Sequence, residues 1–469
     1  MTHRIFVRGA CLVALTVTSA AAGRTFEVGP GRALPAIGQV PWESLQPGDV
    51  VRIHWRPEPY REKWNISTPG TADAPIRVVG VPDPKGGLPV IDGQDALTRP
   101  DLDFPGQARA LIRVGCPNGP EGSVPPVPAH VVIEHLEIRG ARVPNRFTGR
   151  NGIAPYLKHA AGIYIAQGSH VTIRGCVIHD CGNGLMSSGA ETLVESCHIF
   201  GNGNPGSLYE HNVYTSSSGM VFQSNRLGLL RDGSPGNNFK DRSAGLIVRY
   251  NWIEGGNRQL DLVDANDHHA PLSREARYRE TLVYGNILVE PAEAGNSQII
   301  HYGGDSGEEE FYRRGILRLY GNTILSFRQG PTTLIRFAGG GAVADCRNNI
   351  VWLAHASGRM HLGSGDGRIL LAGNWLPERV TPSFGVGHAP VVQGFMEARK
   401  GGDPGFLAAD RADFRLRSRG APCAGLSVPL PADFLQAHGI AFQYHPHGPL
   451  TARPAETLTL PGAMVATAD

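Results

Sequence analysis

Leu246-Ile247-Val248-Arg249-Tyr250-Asn251-Trp252-Ile253 (LIVRYNWI) decides how the rest of the chain is read. It is rich in β-branched and aromatic side chains and alternates with period two, so it reads as a strand and not as a helix. The same pattern recurs along the chain: apolar or β-branched residues, a small polar residue, then an apolar one. It returns as VTIRGCVI around Cys176, TLVESCHI around Cys197, MVFQSNRL around Asn225 and TLVYGNIL around Asn286. LRLYGNTI around Asn322, VADCRNNI around Asn349 and ILLAGNWL around Asn374 continue it. Successive anchors, Asn251 included, lie 21, 28, 26, 35, 36, 27 and 25 residues apart.

A coil of roughly 20 to 28 residues, with three short strands and three turns, is the unit of a parallel β-helix. Stacked coils set equivalent residues above one another, so inward Val, Ile and Leu form apolar columns and a repeated Asn can form a hydrogen-bonded ladder. Cys176 and Cys197 take the Asn slot in the first two coils and read as small buried stack members. The two long steps place insertions near 264–279 and 303–314, which project as loops from one face. A β-propeller needs about 40 residues per blade, and a leucine-rich repeat needs leucine at fixed positions. The expected fold is all-β, a single-stranded right-handed parallel β-helix (solenoid).

Composition agrees. The 469 residues include 61 Gly and 36 Pro, which favour short strands joined by turns, and 41% hydrophobic residues suffice for a large core. Lys and Arg number 44 against 42 acidic residues, a formal charge of +2, with no block of like charge. Nothing therefore argues for nucleic acid as a partner. The basic start His3, Arg4 and Arg8, the apolar run 10–17 and the small residues Ala20-Ala21-Ala22 read as an export signal. The expected organisation is a signal peptide at 1–22, a β-helix domain at 23–450 and a loose C-terminal tail at 451–469. The expected location is secreted or periplasmic. No later segment is apolar enough to enter a membrane, and a monomer is expected. Cysteines 116, 176, 181, 197, 346 and 423 lack zinc spacings, so no metal is expected on cysteine.

The early chain fits the start of the solenoid, with strands at Val50 to Ile53, Ile76 to Val81 and Val90 to Asp92. Asp403-Pro404 is expected to end regular stacking.

A solenoid offers a long face that suits an extended polymer. Two neighbouring coils carry the unusual residues, Tyr209-Glu210-His211-Asn212-Val213-Tyr214-Thr215 and Asn237-Asn238-Phe239-Lys240-Asp241-Arg242-Ser243. Asn225 to Asn251 and Tyr214 to Lys240 are both steps of 26, which stacks Val213 beneath Phe239 facing inward. Alternation then turns Asn212 and Tyr214 outward, with Asn238, Lys240 and Arg242 on the next rung, about 4.8 Å away. The following coil adds Arg258, Gln259, Asp261 and Asp264, and the insertion with Asp267, His268 and His269 is expected to lie over the patch. A lone Lys and Arg on a strand are ordinarily solvated surface. Here His211, Tyr214, Lys240, Arg242 and Asp261 fall in one patch over three coils.

The coil count, the export signal and the HNVY…NNFKDRSAG pair resemble the parallel β-helix polysaccharide lyases, in the flavour of the alginate lyase and chondroitinase B-like group. The resemblance implies a Lys that abstracts the C5 proton of a uronic acid and an Arg as acid or charge partner. Carried over, Lys240 is the base and Arg242 its partner, with Tyr214 or His211 protonating the leaving oxygen. Asn212, Asn238, Arg258, Gln259, Asp261 and His268 are then the substrate-binding set, and the partner is an acidic, uronate-containing polysaccharide. The like charge of Arg242 is expected to leave more of Lys240 as neutral amine. The chain departs from that group in lacking an acidic calcium trio beside the Lys, so Ca2+ stays open as a cofactor and no metal ligand is assigned. Other readings remain. A glycoside hydrolase would use Asp261 with Asp264, or Glu210 with Asp241. A uronan epimerase would share the first proton abstraction, and a non-catalytic binding solenoid would need none of these groups.

Overall fold

The computed structural model describes residues 23–118, 126–266, 269–293, 295–385, 387–445, 450–454, 457 and 459–466. The expected signal peptide and His268 lie outside them.

Each coil contributes one strand to each of three sheets, and among the described residues these sheets hold thirteen, fourteen and eleven strands. The first sheet runs from Thr25–Val28 through Val50–His54 and Ile76–Val81 to Val391–Gln393, each strand pairing in parallel with its successor one coil later. Parallel stacking repeats because each coil carries the same apolar pattern in the same phase. Ile133, Ile173, Val194, Phe222, Val248 and Val283 are consecutive rungs of one inward column. All six are fully buried. One antiparallel hairpin, Arg146–Gly149 with Gly152–Pro155, extends the second sheet at its early edge.

The bend between the first and third sheets explains the small polar residue of the motif. The residue just before each anchor is left-handed in every coil from Gly175 to Gly373, with φ between 55° at Asn348 and 66° at Gly373. Glycine takes that conformation without steric cost and supplies four of the eight positions (175, 285, 321 and 373). The bend turns the anchor's side chain into the barrel. Asn251 Nδ2 donates to Asn286 Oδ1 at 2.9 Å, Asn286 to Asn322 at 3.0 Å, and Asn322 to Asn349 at 2.9 Å. Asn225 and Asn374 continue the ladder at its two ends. Cys197 fills the same slot: its backbone N–H donates to Asn225 Oδ1 at 2.9 Å and its Sγ faces the Glu195 carbonyl. The described cysteines are all free and buried.

Regular stacking ends at Arg399–Gly401, and Phe406–Ala408 then pairs antiparallel with Asp413–Leu416. The expectation of a loose tail is corrected by the described residues beyond 450. Thr451–Ala452 pairs with Phe442–Gln443, and Ala463 and Val465 are fully buried against Leu416 and Ile350. Their apolar surface is removed from water on the flank of the third sheet, and that burial holds them.

Candidate active site

The outer face of the second sheet carries the polar residues singled out above. Val213–Thr215, Phe239–Asp241, Leu260–Leu262 and Gln298–Tyr302 are adjacent strands, and the pairings Tyr214 with Lys240, Lys240 with Asp261 and Asp261 with His301 put four polar side chains in one outward column. Val213, Phe239, Leu260 and Ile300 form the buried column beside it.

Lys240 and Arg242 are nearly enclosed, with side chains 10% and 8% exposed. The Lys240 ammonium lies 2.8 Å from Asp261 Oδ2 and 2.5 Å from Asp305 Oδ2. Arg242 reaches Asp305 Oδ1 at 2.9 Å, donates from Nε to Tyr214 Oη at 3.0 Å, and donates to the Asp264 carbonyl at 2.6 Å. Arg242 repulsion is therefore not what defines the surroundings of Lys240, because two carboxylates clasp it. His301 Nδ1 stands 2.8 Å from Asp261 Oδ1. Burial works to raise the Asp261 carboxyl, but His301, Lys240 and Arg258 outweigh it and hold the group well below the usual carboxylate range. Asp305 is likewise held low: Lys240 and Arg242 outweigh the effect of burial.

His211 stacks on Tyr214, with ring centroids 5.8 Å apart and planes 9° from parallel. Burial, reinforced by Lys240, pushes its pKa down to about 3. The Asn237 backbone N–H donates to its Nδ1 at 3.0 Å, so the neutral ring carries its proton on Nε2. In that state His211 is a hydrogen-bond donor and not a base.

His211, Tyr214, Lys240, Arg242, Asp261 and Asp305 line a cleft of ≈ 760 Å³. Of the ten residues expected at the site, His211, Tyr214, Lys240, Arg242, Arg258 and Asp261 border it. Three expected binders do not. Asn212 and Asn238 are fully buried, because period-two alternation holds only within the three-residue strands and the chain bends just before them. They turn inward into a second ladder: Asn202 Nδ2 donates to Asn212 Oδ1 at 2.9 Å, and Asn212 Nδ2 to Asn238 Oδ1 at 3.0 Å. Gln259 follows on the next rung, also fully buried, and donates to Glu290 Oε2 at 2.9 Å. The bend's backbone carbonyls need donors, and these amides supply them. Asp241 is also inward, paired at 3.0 Å with the fully buried Arg313. Asp264 is fully buried and accepts the Asp305 backbone N–H at 2.7 Å. Each carboxylate pair considered for hydrolysis therefore has at least one member that does not border the cleft, and Glu210 and Asp241 are both buried away from it.

Asp305 and His301 were missed by the sequence reading, and so were Arg109, His159 and Asn183 at the cleft's other end. His301 was findable, since QIIHY alternates like the strands beside it. Asp305 sits in an insertion with no register, and Arg109 lies in early coils that lack the anchor motif. No three His, Cys, Asp or Glu side chains converge as a metal site among the described residues. The two carboxylates nearest Lys240 are engaged by its ammonium, so this donor set does not fit calcium.

Residues 138–273 match the family model of the right-handed β-helix region, and the chain is a right-handed parallel β-helix. A search of curated protein sequences finds no match. Among solved structures the chain is similar to an alginate lyase from Paenibacillus sp. str. FPU-7, at 14% identity and a TM-score of 0.49 over 73% of this chain and 99% of that one. It is also similar to the pectate lyase Pel9A, at 12% identity and a TM-score of 0.47 over 88% and 93% of the two chains. A mutant tailspike protein of E. coli bacteriophage HK620 in complex with a hexasaccharide is 12% identical, with a TM-score of 0.44 over 73% and 57%. None of these likenesses transfers a substrate or a residue's role.

Proposed function

We propose that the protein is an exported polysaccharide lyase that cleaves a uronate-containing polysaccharide by β-elimination. The observation that carries this reading is a pair of nearly enclosed cations, Lys240 and Arg242, converging on one point beside the Tyr214 phenol. β-Elimination takes the C5 proton, forms the C4–C5 double bond and expels the C4 oxygen, which leaves protonated. Its barrier is the carbanion at C5, and cations on the adjacent carboxylate stabilise that charge. Lys240 and Arg242 supply this neutralisation. The base role expected of Lys240 passes to Tyr214, because Arg242 Nε can stabilise the negative charge left on the phenol oxygen. Tyr214, reacting as its phenolate, takes the C5 proton and hands it to the leaving oxygen, ending again as phenolate, while His211 offers only a hydrogen bond from Nε2. The hydrolase reading loses support from the inward Asp241 and Asp264.

The test is product analysis on a panel of uronate polymers. Lysis gives an unsaturated end that absorbs in the near ultraviolet, whereas hydrolysis gives reducing ends without that absorbance. Tyr214→Phe should lower kcat by about 10²- to 10⁴-fold with KM little changed, the range for losing a proton-transfer group. Lys240→Ala should lose uronate binding as well. Full activity in Tyr214→Phe would return the proton transfer to Lys240. Export is checked by sequencing the mature N-terminus, expected near Gly23.

A further inference from the structure

Among the described residues, Asp305 is the one acidic residue at the cleft that comes from an insertion and not from a rung. The insertion is tied at its neck, where the Arg313 N–H donates to the Gly303 carbonyl at 2.9 Å and the Arg313 guanidinium is buried on Asp241. Tyr278 of the other insertion donates to the Phe311 carbonyl at 2.7 Å. Just past the neck, Asp264 Oδ1 accepts the backbone N–H groups of Asp305 and Ser306 at 2.7 and 3.3 Å. The loop is thereby aimed, and its aim is specific: one Asp305 oxygen rests on Lys240 and the other on Arg242. The carboxylate bridges the two cations from the solvent side, with its own side chain 31% exposed.

A uronate substrate must put a carboxylate on these same cations if they are to stabilise a charge at C5. We infer that Asp305 holds the seat of the substrate's carboxylate, and that a uronate binds by displacing it. The inference rests on the lyase reading and adds a specificity device to it. Lys240 and Arg242 are too enclosed to give up their shared carboxylate with nothing in its place, since a nearly buried charge that loses a partner is destabilised. Exchanging one carboxylate for another keeps both cations paired. A neutral sugar that pushed Asp305 aside would leave Lys240 with Asp261 and Arg242 with Asp264 at 3.8 Å but remove the carboxylate that the two share, so the tethered carboxylate screens ligands by charge. It also competes with every uronate, reducing apparent affinity to the intrinsic value multiplied by the fraction of time that the seat is vacant.

The experiment is calorimetric binding of a uronate oligosaccharide to the wild type and to Asp305→Asn, Asp305→Ala and Glu309→Gln, each checked for its folded spectrum. Glu309 lies on the same insertion, 70% exposed, and controls for loop charge in general. Asp305→Asn and Asp305→Ala should tighten binding by about tenfold or more, and Glu309→Gln by less than about twofold. Unchanged or weaker binding in both Asp305 variants would overturn the inference and leave the lyase reading standing. Equal tightening by Glu309→Gln would also overturn it, since the effect would then be general charge. If no variant and not the wild type binds a uronate, the lyase reading fails and takes this inference with it.

Discussion

His211 and Glu290 show how burial dominates the chemistry of a side chain in this protein. His211, pushed down to about 3 from an ordinary 6.5, stays neutral through the range where histidines usually titrate. The pH profile of kcat/KM should therefore carry no inflection near 6.5 that belongs to it. An inflection there that vanishes in His211→Gln would contradict its enclosed, neutral state. Glu290 is the opposite case: burial, only partly offset by Gln259 and Arg328, raises its carboxyl from 4.5 to about 6. A raised acid keeps its proton in the folded state while the unfolded chain has lost it, so this group's contribution is present below pH 4.5 and lost as pH rises through about 6. Glu290→Gln should remove that dependence and raise stability at pH 7 by up to about 2 kcal/mol, read from urea midpoints at the two pH values. Neither environment was legible in the sequence. The partners of these groups come from other rungs, Asn237 for His211 and Gln259 and Arg328 for Glu290, and Gln259 was itself expected to face solvent.

The coil is the element that the sequence wrote most clearly, and the Asn ladder shows why. Each anchor repeats in one phase with a left-handed residue before it, so the positions of Asn225 through Asn374 and the pairing of Tyr214 with Lys240 followed from counting residues. Counting fails at corners. Asn212 and Asn238 lie one residue outside strands only three residues long, where alternation no longer says which way a side chain points. The insertions have no register to count: their positions could be read from long steps, but the aim of Asp305 depends on Asp264 and Tyr278. The ladder's energetic weight is testable. Asn251 donates to the carbonyls of Phe222 and Arg249 and to Asn286, and it accepts the Asn225 N–H, all in the dry interior. Asn251→Ala strands these groups and should cost about 2–4 kcal/mol in chemical denaturation. Cys197→Asn, which places the ladder's own residue in a slot already built for it, should cost little. A loss of several kcal/mol there would show that the slot is not equivalent.

At the scale of the whole molecule, the solenoid turns a short sequence repeat into a surface where distant coils cooperate. Arg109 and Arg258 border one cleft although 149 positions separate them in the chain, because each coil advances the stack by only about 4.8 Å. A polymer lying on that face would meet Tyr214, Lys240 and Asp261 in order, one rung apiece. On the proposed lyase reading, Lys240 and Arg242 together receive the substrate's carboxylate beside Tyr214. A crystal structure of Tyr214→Phe with a bound uronate oligosaccharide tests it most directly. The predicted density shows one sugar carboxylate bridging the Lys240 ammonium and the Arg242 guanidinium, with Asp305 moved off both. Density with the sugar seated elsewhere, for instance in the hollow bordered by Arg61, Arg139 and Arg142, and with Asp305 still on Lys240 would contradict it.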